Sequence, residues 1–132
     1  MLRTRYFPEI VKAAADYKLD PILVEAVVVQ ESAGNADAFR WERDFWNRYL
    51  KPKPEWVGKN PRRVSSSYGL MQPLYVVATE RGYPTNLPPE GLFVPEISLK
   101  YGCAHLRWMV DRIEAKYPQF TPAEKLRASL AS

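Results

Sequence analysis

The sequence predicts a mainly α fold, one helical domain interrupted by an irregular, aromatic-rich stretch. Three observations predict it. The segment 96–117, opened by Pro95, carries Leu99, Cys103, Leu106, Val110, Ile113 and Tyr117 at alternating spacings of four and three, a continuous core-facing stripe on a helix. Asp20-Pro21 ahead of the apolar run Ile22–Val29 is a strong helix start, with Asp as cap and Pro at the first helical position. No convincing hairpin pattern is found anywhere in the chain.

In chain order, a first helix is expected from Pro8 to about Lys18, with Ile10, Ala13, Ala14 and Tyr17 on one face. The second, after Asp20-Pro21, is apolar nearly all round, which predicts burial. Its run Val27-Val28-Val29 also reads as a strand, and the sequence leaves that alternative open. Residues 39–63 mix Phe39, Trp41, Phe45, Trp46, Tyr49 and Trp56 with Arg40, Arg43, Arg48, Lys51 and Lys53. Pro52, Pro54 and Pro61 make the second half irregular. A short helix from about Leu74 to Arg81 is stopped by Gly82 and Pro84. After the 96–117 helix, Thr121 and Glu124 form a capping box that opens a last helix.

At 132 residues the chain reads as one domain, 1–132, without repeat or linker, able to bury about two-thirds of its unfolded surface. A hydrophobic content of 46% and aromatic content of 13% describe a packed globule rather than a disordered chain. Cys103 is the only cysteine and His105 the only histidine. An intramolecular disulfide and a cysteine-cluster metal site are therefore excluded, and a zinc site or histidine-dependent triad is not expected. No cofactor is expected. The net charge of +4 favours anionic partners without choosing among nucleic acid, membrane surface and cell-wall polymer. No run reaches the length of a membrane span, and the N-terminus has no apolar core of secretory length.

Chemistry centres on Gln30-Glu31-Ser32-Ala33-Gly34. Glu31 falls near the end of the second helix, where apolar surroundings and the negative end of the helix dipole are both expected to favour its protonated form. That would suit a general acid near neutral pH. A solvated carboxylate at a helix end is the plainer reading of this segment alone. Further on, Ser65-Ser66-Ser67-Tyr68-Gly69-Leu70-Met71-Gln72 reads as a tight turn whose backbone can approach a ligand. Gln72 offers an amide donor and acceptor, and Met71 an adaptable apolar contact, a combination suited to a sugar.

Taken together, Glu31-Ser32, then Ser67-x-Gly69-Leu70-Met71-Gln72, then Glu96-Ile97-x-x-x-Tyr101-Gly102-x-x-x-Leu106 resemble the catalytic domain of SLT-type lytic transglycosylases, relatives of goose-type lysozymes. The resemblance covers about residues 16–132, with a longer stretch than usual between the first two motifs. It implies a lysozyme-like helical domain and a peptidoglycan substrate. By the same resemblance Glu31 is the single catalytic acid, protonating the glycosidic oxygen between N-acetylmuramic acid and N-acetylglucosamine. The same residue then acts as base towards the sugar's 6-hydroxyl, closing a 1,6-anhydro ring. One carboxylate serves where ordinary glycosidases use two. Ser67, Met71 and Gln72 match groove positions, and Ser32 matches a hydroxyl that orients the loop. With Tyr68 from the turn, and Trp41 and Glu42 from the aromatic stretch, they complete the expected substrate-binding set. Trp41 and Trp46 are the candidates for stacking on sugars, whereas Phe39, Phe45 and Tyr49 read as local core. Cys103 reads as a core residue and His105 as a surface or boundary one.

Two departures from the family pattern stand out. Pro73 follows Gln72 where an aliphatic residue is usual. The family's Tyr-Asn-x-Gly motif does not occur before Ser132, so the domain reads as C-terminally truncated. Asp37, Glu42 or Asp44 as base for water is the alternative that would make the enzyme a hydrolytic lysozyme, although surface pairing with Arg40, Arg43 or Arg48 is the simpler role. A murein-binding or phage-tail structural module without turnover is a further alternative, and a basic nucleic-acid binder built on 39–63 another. The preferred reading has peptidoglycan strands as partner, no nucleic acid, no membrane insertion and a monomeric chain. It acts on the cell wall or periplasm, and without a signal peptide the expected origin is a phage-encoded enzyme, an endolysin released by lysis or a wall-cleaving enzyme carried by the virion.

Overall fold

A computed structural model describes residues 5–119 together with Thr121 and Glu124. The fold is mainly helical, with one small two-stranded sheet among the described residues. Helix α1 spans Phe7–Asp16 and buries Ile10, Ala13 and Ala14, while Tyr17 of the expected face follows as its C-cap. Helix α2 spans Pro21–Ser32. Asp20 caps it by accepting a hydrogen bond from the Ile22 N–H at 2.8 Å. The valine triplet 27–29 is thus helical, which settles the open alternative: the cap and proline outweigh the β-branched preference.

Burial of α2 departs from expectation. Only Val24, Glu25 and Val28 are buried, and Ile22 and Val29 are each 43% exposed. The helix packs on α1 along one side, so its apolar far side faces outward. Glu25, apolar by position only, is 3% exposed and not without a partner.

The aromatic-rich stretch is locally ordered. Strand β1 (Phe39–Trp41) leads into a helical turn, α3 (Arg43–Phe45), which continues as a π-helical turn over Trp46–Leu50. A 3-10 turn, Pro54–Trp56, and the short helix α4 (Pro61–Val64, capped by Asn60) follow. Strand β2 (Ser66–Tyr68) pairs antiparallel with β1, matching Phe39 to Tyr68, Arg40 to Ser67 and Trp41 to Ser66. Helix α5 (Tyr75–Glu80) ends just before Gly82, whose φ of 109° permits the turn.

Helix α6, Pro95–Lys116, is the spine. Its stripe is buried at Leu99, Cys103 and Leu106, and half-buried at Val110, Ile113 and Tyr117. One side of it joins Val24, Val28, Leu70 and Met71 in a first apolar cluster. Tyr101, on another side, belongs to a second cluster with Tyr68, Tyr75 and Tyr83. There the rings meet edge to face, Tyr83 and Tyr101 at 5.3 Å and Tyr75 and Tyr83 at 6.0 Å. Burial pushes the Cys103 thiol up to about 12, as befits a core residue. The last expected helix lies outside the described residues, except that Thr121 and Glu124 do form the reciprocal capping bonds, at 2.8 and 3.2 Å.

Candidate active site

Glu31 lies in the last turn of α2, which ends because Ala33 turns left-handed (φ 53°) and Gly34 follows at φ 78°. The chain then crosses to β1, and 38 residues on from Ser32 the turn 69–72 arrives beside the same helix end. Ser32 joins the two: its hydroxyl is 2.8 Å from the Leu70 carbonyl oxygen and 3.0 Å from that of Val28. From the opposite side α6 holds the turn through Ser98, which is fully buried. The Met71 N–H donates to Ser98 Oγ at 3.2 Å, and that hydroxyl donates to the Tyr68 carbonyl at 3.3 Å.

Two glycines make this approach possible. Gly69 has φ 76°, and a Cβ there would sit 2.5 Å from the Leu92 carbonyl oxygen. At Gly102 of α6, a Cβ would fall 2.5 Å from Met71 Cβ, so Met71 lies directly on the helix backbone. Gln72 closes the turn at φ 53°. Its amide nitrogen donates to the Ala38 and Gly69 carbonyls, at 3.0 and 2.9 Å. With its donor committed to backbone, Oε1 remains as the acceptor Gln72 can offer.

Glu31, Met71 and Gln72 line one cavity of about 240 Å³, together with Leu74 and Val77 on the α5 side and Gly102, His105 and Met109 of α6. Among the described residues Glu31 is the sole carboxylate lining it and has no hydrogen-bond or ion-pair partner. Glu31 itself is exposed, which corrects the expected apolar sheath, since α2 is buried along one side only. Such an arrangement presents a free carboxyl group to an apolar floor with one amide acceptor beside it. No group of His, Cys, Asp and Glu among the described residues is placed to hold a metal ion.

His105 is half-buried, as a boundary residue is, but it also lines the Glu31 cavity, a place the sequence does not suggest. Its ring stacks on Trp108 at 5.6 Å, and its Nδ1 is buried without a hydrogen-bond partner. Burial, with the Arg81 cation next in weight, lowers its pKa from the ordinary 6.5, against a weaker opposite effect of Glu80. Position off the buried stripe of α6 concealed it, because the cavity opens beside that stripe.

The remaining expected residues are spread more widely. Ser67 is 8% exposed within β2, and its backbone pairs with Arg40 on one side and Leu74 on the other. Tyr68 is 2% exposed, donates its hydroxyl to the Arg63 carbonyl at 2.6 Å, and burial pushes its phenol up to about 12. It thus supports the turn from below instead of reaching the cavity. Trp41 is half-buried under the Arg62 guanidinium, 5.8 Å away, and Glu42 pairs with Arg40 at 3.0 Å. Neither lines the Glu31 cavity, nor do Asp37 and Asp44. Trp46 packs half-buried against the second cluster, as does Phe45, whereas Phe39 and Tyr49, expected as core, are 44% and 49% exposed.

Fold and cavity together define a lysozyme-like helical domain. The family model described as Transglycosylase SLT domain matches residues 8–129, nearly the whole chain, and the chain belongs to that family. Compared with curated proteins and with solved structures, the sequence finds no significant match. Family membership gives the substrate class, peptidoglycan, and the type of bond cleaved, glycosidic.

Proposed function

We propose that this chain is a lytic transglycosylase that cleaves the β-1,4 bond between N-acetylmuramic acid and N-acetylglucosamine, with Glu31 as both acid and base. The observation that carries the reading is the isolation of Glu31: one unpaired carboxyl group in the cavity, and no second carboxylate lining it among the described residues. In the first step Glu31 gives its proton to the glycosidic oxygen as the C1–O bond breaks. In the second, the carboxylate takes the proton of the sugar's own 6-hydroxyl while O6 bonds to C1. The 1,6-anhydro product forms, Glu31 is again protonated, and no water is consumed. A hydrolase would want a second carboxylate to activate water on the opposite face.

Ser32 and Ser98 act as positioning residues in this account, holding the turn 69–72 against α2 and α6. Gln72 Oε1 accepts from a sugar hydroxyl or acetamido N–H, and Met71 packs under the ring. Mass spectrometry of peptidoglycan digests tests the proposal. Anhydro-muropeptides are expected, and reducing ends would assign the chain to the lysozymes instead. Peptidoglycan that is bound without any released product would leave a binding module.

A further inference from the structure

The Glu31 cavity leaves the aromatic-rich stretch without a task, although that stretch builds a cavity of its own. Phe45, Tyr49 and Trp56 meet α5 around a space of about 440 Å³, with Lys53 and Thr79 also lining it. The rings of Phe45 and Tyr49 lie 5.0 Å apart, tilted by 50°, and Tyr49 is 49% exposed despite its size. Trp56 is fixed edge-on against Tyr75 at 6.3 Å. Val77 of α5 lines both this space and the Glu31 cavity, so the two adjoin across a single side chain.

We propose that this second cavity is a distal sugar-binding site, which seats the glycan strand as it leaves the Glu31 cavity over Val77. The inference rests on the reading of Glu31 as the cleaving residue. A polymer cut in a space of only about 240 Å³ must pass out of it, and the adjoining cavity offers the chemistry a pyranose needs. Aromatic faces take the C–H face of the ring, and the ammonium of Lys53, the carboxylates of Glu55 and Glu80 and the hydroxyl of Thr79 take its polar rim. Its three aromatic residues belong to the stretch that lengthens this chain between its first two motifs.

The test measures binding of soluble, uncrosslinked glycan strands of graded length to the full chain carrying Glu31→Gln, with and without Tyr49→Ala. Tyr49 is half outside the packing, so its truncation spares the fold; circular dichroism checks this. Affinity is expected to rise with strand length, and Tyr49→Ala to remove about tenfold of affinity for long strands while leaving the disaccharide unaffected. Equal binding of long strands by both variants, or no gain with length, overturns the inference. The two readings fail separately. If unmodified protein releases nothing from peptidoglycan but length-dependent binding still requires Tyr49, cleavage falls and the distal site stands. If cleavage proceeds and Tyr49→Ala leaves long-strand binding unchanged, only the distal site falls.

Discussion

Gly102→Ala perturbs the contact on which the site depends most. The added methyl would sit 2.5 Å from Met71 Cβ, 2.6 Å from Sδ and 3.0 Å from Cγ, whereas carbon atoms rest at about 3.5–4.0 Å. Rotating the Met71 side chain clears the sulfur but not the Cβ, which is fixed to the backbone. The turn 69–72 must therefore withdraw by about 1 Å. Overpacking of this kind costs about 1–3 kcal/mol, and the better helix propensity of alanine returns about 1. Because backbone has to move, the upper part of that range applies, leaving a net loss of about 1–2 kcal/mol. With a urea slope near 2 kcal/mol/M, the unfolding midpoint falls by about 0.5–1 M at unchanged slope. Withdrawal also carries Gln72 away from Glu31, so cleavage per folded molecule should drop by about tenfold to a hundredfold. Urea titration followed by tryptophan fluorescence, with turbidity clearing of peptidoglycan on the same samples, measures both. A midpoint equal to or above the parent's, with full clearing, would show that Gly102 does not set the position of Met71.

Other consequences are simpler to read. Ser32→Ala removes the hydroxyl that ties α2 to Leu70 and leaves that carbonyl short of a donor, at a cost of about 1–2 kcal/mol, visible as a lower Tm. Clearing should fall further than the lost folded fraction explains, because Glu31 stands next to the broken tie. His105, the only histidine, gives a single imidazole resonance set whose NMR titration should lie below 6.5. It faces Arg81 and Glu80 from the α5 end and Glu31 across the cavity. Since the folded state holds that proton less tightly than the unfolded chain, His105's contribution to stability is full above about 6.5. That contribution is lost as pH falls through the folded value. Urea midpoints across this range should therefore decline on acidification, and the decline should shrink in His105→Gln.

Much of the fold is legible in the sequence where signals are local. Asp20-Pro21 fixes the start of α2, Pro95 and the four-three stripe fix α6, and Gly82 fixes the end of α5, because caps and periodicity act within a turn or two. The β1–β2 ladder is invisible by the same logic. Each strand has three residues, and the partners Phe39 and Tyr68 are separated by a stretch whose prolines and aromatics carry no pairing signal. For the site, the motifs single out Glu31, Met71 and Gln72, and all three line one cavity. The sequence does not reveal that His105 lines the cavity, because that depends on which flank of α6 faces the turn, nor that Tyr68 is buried, because that depends on how β2 packs against distant rings. Nor does it reveal Ser98, whose role appears only once a helix and a distant turn meet at 3.2 Å. The exposure of Glu31 is hidden for a related reason: an apolar composition does not say which side of α2 is covered, and only Val24, Glu25 and Val28 are buried.

Whether one carboxyl group, Glu31, performs both proton transfers is tested by mass spectrometry of peptidoglycan digested by the parent chain and by Glu31→Gln, each checked for folding by circular dichroism. Anhydro-muropeptides are expected from the parent and no product from the folded variant. Reducing-end products from the parent, or undiminished cleavage by Glu31→Gln, would rule out that double role for Glu31.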